Sequence, residues 1–75
     1  MIAAIEHDGV LHIVRSTGRV RLHVEITTYC NSRYDATSVA VLQVSDDVFT
    51  KMRPDTHMGG PPLRPCPTCR GIAIG

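Results

Sequence analysis

Two cysteines near the end of the chain, in Cys66-Pro67-Thr68-Cys69-Arg70-Gly71-Ile72-Ala73-Ile74-Gly75, carry the only spacing in this sequence that specifies a chemistry. Two thiolates separated by two residues can grip one tetrahedral metal ion, and a Gly two places after the second Cys lets the backbone curl so that its amides point at the sulfurs. The pair is half of a structural zinc site. A closed site needs two more ligands, and the spacing nominates Cys30 and His57 beside Cys66 and Cys69. Three other arrangements use the same residues: a metal shared by two chains that each give Cys66 and Cys69, three reduced and unliganded thiols on a loose tail, and a dithiol redox pair.

The segment Cys66 to Ala73 resembles one repeat of the DnaJ-type co-chaperone zinc domain, CxxCxGxG, with Ala73 in place of the final Gly and no second repeat in the chain. The resemblance implies a metal-binding knuckle. Zinc ribbons and rubredoxin-like turns use similar half-sites. Redox chemistry would need a helix N-terminus to stabilise the reactive thiolate. Gly71 and the β-branched Ile72 and Ile74 close to the chain end argue against a helix there. His12 and His23 would face each other across two strands only if Thr17-Gly18 made a two-residue turn. Otherwise one is a surface histidine and the other partly buried. Cys30 with a histidine could be a nucleophile and base, but no catalytic constellation is otherwise apparent, and an enzyme is not expected.

These residues must be positioned by 75 residues, near the lower size limit of a domain that folds unaided, where a metal or a second subunit often supplements the core. The formal charge of +1 gives no long-range field to gather nucleic acid or anionic lipid. The start of the chain, Met1 to Asp8, has no basic leader, and no stretch approaches the length of a membrane span, so the expectation is a cytoplasmic, soluble protein with no membrane partner.

The pattern predicts an α+β, mostly β fold: a small antiparallel sheet made of a three-strand meander plus a fourth strand, one short helix, and an extended C-terminal arm ending in the CxxC knuckle. Residues 1–53 form the β-rich part and 54–75 the Pro/Gly-rich arm. The meander strands are 2–6, 10–15 and 20–28, the last by alternation of Val20, Leu22, Val24 and Ile26. The connections His7-Asp8-Gly9 and Ser16-Thr17-Gly18 suit three-residue hairpin loops. Strand 10–15, apolar on both faces apart from His12 and Arg15, is the expected central strand. Residues 29–35 read as a loop and 38–44 as the fourth strand. Ser45 caps a short helix that Pro54 stops, with Asp46 and Asp47 in its first turn.

The function expected from this is a small non-enzymatic interaction protein, stabilised by zinc, that binds a larger protein or self-associates through its sheet. The alternative partner is nucleic acid, bound in zinc-ribbon fashion by Arg15, Arg19, Arg21, Arg64 and Arg70, against which stand the near-neutral charge and the lack of an aromatic stacking platform.

Overall fold

A computed structural model describes residues 1–56 and 60–75. The chain is mostly β, an open sheet with two short helices. Its elements are β1 (Ile2–His7), β2 (Val10–Val20), β3 (His23–Thr28), β4 (Arg33–Asp35), β5 (Ala40–Val44), α1 (Asp46–Thr50), β6 (Arg64–Pro65) and α2 (Pro67–Ala73). The sheet order is β4-β3-β2-β1-β5 with antiparallel neighbours, and β6 adds to β2 in parallel.

The meander forms as expected, but both of its turns differ. His7 pairs with Val10, so the first connection is the two-residue Asp8-Gly9 turn. Both residues have positive φ, 53° and 78°, as a type I′ hairpin requires, and the Glu6 carboxylate accepts the Gly9 N–H at 3.0 Å. The second turn is not at Ser16-Thr17-Gly18. β2 continues to Val20, Gly18 pairs with Glu25, and the chain reverses at Arg21-Leu22. A bulge between Val14 and Ser16 adds twist and lets the strand run on as one side of a ribbon. Thr17 and Val20 favour that extension, being β-branched. The alternation from Val20 to Ile26 therefore spans a turn and not a single strand. Arg21 takes the left-handed φ of 57° that usually falls to Gly.

β2 is central, with β1 along one edge and β6 followed by β3 along the other. Ile2, Ala4, Leu11, Ile13, Leu42 and Val44 share one face by register. Val48 and Phe49 of α1, together with Cys66 and Cys69, pack onto this group to form the main core. Ser45 caps α1 by accepting the Asp47 N–H, and Lys51 closes it, one residue past the helical run. On the opposite face lie Ile5, His12, Val14, Ile26 and Thr28, of which Ile5, Ile26 and Thr28 are buried.

The segment 29–35 contains a strand, β4, paired to β3 through Ile26 and Tyr34. The C-terminal segment is also more structured than an extended arm. Asp55 and Leu63 exchange backbone hydrogen bonds, the Arg64 N–H reaches Gly9 O at 2.9 Å, and the Cys66 N–H reaches Leu11 O at 2.8 Å. These bonds lay the CxxC segment along the edge of β2.

Candidate metal centre

The site sits where two strands share one edge of β2. β6 occupies that edge beside Val10 and Leu11, and β3 occupies it from Val14 onward. In the notch between them, Leu11 O accepts the Cys66 N–H and Ile13 O accepts the Tyr29 N–H at 3.1 Å. Cys30 therefore enters from the end of β3, Cys66 and Cys69 enter from the end of β6, and His12 stands on β2 between the two attachment points.

The ligand atoms of His12, Cys30, Cys66 and Cys69 all lie within 4.8 Å of one another, close enough to hold a metal ion. His12 Nδ1 is 3.5 Å from Cys30 Sγ and 3.9 Å from Cys69 Sγ. Zinc bonds to thiolate and imidazole imply tetrahedral edges of about 3.5–3.8 Å between ligand atoms, which these separations approach. Cys66 and Cys69 are buried, and Cys30 is partly so.

The surroundings also suit sulfur held as thiolate. Cys66 Sγ accepts the Cys69 N–H at 3.5 Å. Cys69 Sγ takes backbone hydrogen bonds from Ile13 and Cys30. Cys30 Sγ lies 3.2 Å from the Thr28 hydroxyl and 3.4 Å from that of Ser32, whose backbone also bonds to it. Donors converging on metal-bound sulfur fix its orientation and spread its charge.

The two titrating thiols behave oppositely. Burial pushes Cys69 up to about 12, partly opposed by the Ile13 amide and reinforced by the neighbouring Cys30 and Cys66 sulfurs. Burial also raises Cys30, but the Ser32 and Thr28 hydroxyls and the Ser32 backbone outweigh it and bring the thiol down to about 6. Cys30, more open and better supplied with donors, ionises first, and its charge then opposes a second thiolate at Cys69. A cation among the sulfurs would remove that opposition.

The sequence therefore supplied three of the four clustered residues. His57 lies outside the described residues. Sequence alone makes His12 a surface or partly buried histidine; it is partly buried and turned toward the cysteines, with its ring 5.9 Å from that of Tyr34. The signal that could have found it is one polar residue between Leu11 and Ile13 in the central strand. His23 is no partner to it, since it pairs with Val20 at the ribbon tip. The expectation that no helix follows the cysteines is overturned. Pro67 is at the first helical position, Cys66 caps the helix with its own sulfur, and α2 runs through Gly71 to Ala73. Gly71 thus has a helical role, and the amides aimed at Cys69 come from Ile13 and Cys30 instead.

A thiol beside an imidazole is also the geometry of a nucleophile and its base. Here two further sulfurs occupy the approach, and no cavity for a substrate opens among the described residues. Comparison with protein-family models, characterised proteins and solved structures finds no match to this chain. No helix among the described residues is long and apolar enough to cross a membrane.

Proposed function

We propose that His12, Cys30, Cys66 and Cys69 hold a structural zinc ion, and that the protein is a small non-enzymatic binding module which this ion clasps shut. The observation that carries the reading is the approach of four ligand atoms from three separate chain segments to within 4.8 Å. Three sulfurs and one imidazole suit zinc, whose structural sites are closed, tetrahedral and rich in Cys. A closed site leaves no coordination position for substrate, so the ion's work is to join β2, the end of β3 and the C-terminal segment. The module's contacts with other molecules then lie on its outer surfaces. β5 supports a protein partner or a second copy, because it is an edge strand with Ala40, Val41 and Gln43 exposed and no charged residue or Pro along it.

Native mass spectrometry of protein purified without added metal tests the reading. The expected result is one zinc per chain, with Co(II) replacement giving the intense visible bands of a tetrahedral thiolate site. The substitution His12→Gln should weaken binding while His57→Gln leaves stoichiometry unchanged. The reverse pattern would return the fourth ligand to His57, and metal present only in trace amounts would overturn the site altogether.

A further inference from the structure

Beyond the clasp, we infer that the β2–β3 ribbon is an arm that binds duplex nucleic acid, its arginines on the phosphates and Leu22 as a wedge at its tip. Every residue from Arg19 to Val24 is exposed, so the end of the ribbon packs on the body through neither face; nearer the body β2 stays exposed, while Ile26, opposite Thr17, is buried. Residues 15–24 carry Arg15, Arg19 and Arg21 and no carboxylate, and the one acidic residue of the ribbon is Glu25, opposite Gly18. The overall charge of +1 conceals a segregation: eight cations face seven carboxylates in the chain, three of those cations and one carboxylate, Glu25, are on the ribbon, and five cations are left against six carboxylates elsewhere. None of the three arm arginines has an ion pair among the described residues, whereas Glu25 on the ribbon meets Arg33 of β4 at 4.0 Å.

The tip is apolar where water should favour polar residues. Leu22 is 102% exposed, and Val20 and Val24 beside it are 41% and 40% exposed. A two-stranded ribbon fits the groove of B-form DNA, and architectural proteins insert Leu, Ile or Pro between base steps while Arg contacts the flanking phosphates. The Arg19-Val20-Arg21-Leu22 sequence places Leu22 next to two phosphate-binding forks. An anionic membrane is the less fitting occupant. One fully exposed Leu and two half-exposed Val offer little apolar area for insertion, and the arm has none of the Trp or Tyr that anchor proteins at a lipid interface.

The inference uses the clasp only as the body from which the arm projects. The test therefore starts with full-length protein whose metal content has been measured, so that loss of the zinc reading is seen apart from loss of this one. Fluorescence anisotropy with a short B-form DNA duplex should show binding at low salt, with log K falling against log[salt] at a slope of about −2.7 for three phosphate contacts. Arg19→Ala with Arg21→Ala should reduce the slope by about 2 and weaken binding at least tenfold, with an unchanged far-ultraviolet CD spectrum. Leu22→Ser should keep the slope but abolish duplex bending, read by energy transfer between dyes at the two ends. No binding at low salt, full affinity in the double arginine variant, or binding to phosphatidylserine vesicles but not to DNA would each overturn the proposal.

Discussion

The clasp and the arm use the same central strand in opposite ways. The first part of β2, Val10 to Val14, contributes Leu11 and Ile13 to the core and His12 to the cysteine cluster. The second part, Arg15 to Val20, is exposed throughout. The bulge between Val14 and Ser16 is the boundary, where β2 passes from neighbours on both edges to β3 alone. A strand that is buried, bonded on both sides and joined to a cluster supplies stability. The same strand two residues later has no core to serve, and its side chains are free for recognition.

Chelating the proposed zinc ion should produce the largest separation of the two regions. Structural zinc contributes on the order of 10 kcal/mol in apparent terms, more than a core of this size supplies. Its removal should unfold the body, measured as loss of the cooperative thermal transition by CD, whereas arm substitutions leave that transition in place. Phe49→Ala should come next. Phe49 is fully buried beneath the sheet, and its truncation should cost about 3–5 kcal/mol in urea unfolding of the zinc-loaded protein without changing metal stoichiometry.

Thr28→Val tests the support of the clasp. Thr28 is fully buried, and its hydroxyl meets the Cys30 sulfur and accepts the Ser32 N–H at 3.2 Å. Deleting the hydroxyl should cost about 1–3 kcal/mol, measured by the same unfolding, because a partly buried donor is left unpaired. The pH dependence of zinc affinity should follow from the two perturbed thiols. Cys69, raised to about 12, keeps its proton in the metal-free protein through the neutral range, so zinc must displace it, and that one proton alone makes affinity fall about tenfold per unit as pH falls. Cys30, lowered to about 6, adds a further proton only below that value, so a competition titration should steepen there. The smallest effect belongs to the arm: Arg21→Gly should relieve the positive φ and stabilise by about 1 kcal/mol in thermal unfolding, leaving zinc affinity unchanged.

The three cysteines were legible because a CxxC spacing restricts geometry over a few bonds, and Cys30 was the one remaining thiol. The meander and α1 were legible from alternation, Gly9, and the Ser45-Asp46-Asp47 start. The second turn was not, because Gly18 suggested a reversal that the chain postpones to Arg21-Leu22, where no Gly or Asn announces it. β6 was invisible as well, since Arg64-Pro65 has no strand propensity of its own and is held by bonds to Gly9 and Leu11.

The sequence by itself determined the composition of the clasp and of the arm: soft ligands in short-range spacing, and arginines without carboxylates between residues 15 and 24. Tertiary structure decided which histidine joins the cysteines and where the charge lies in space. His12 is 18 residues from Cys30 and 57 from Cys69 along the chain. Only the attachment of β3 and β6 to one edge of β2 brings them together, because a strand edge has donors and acceptors that two different segments can share. Net charge is likewise a sum over the chain, and only the fold shows that its positive part stands on an exposed ribbon.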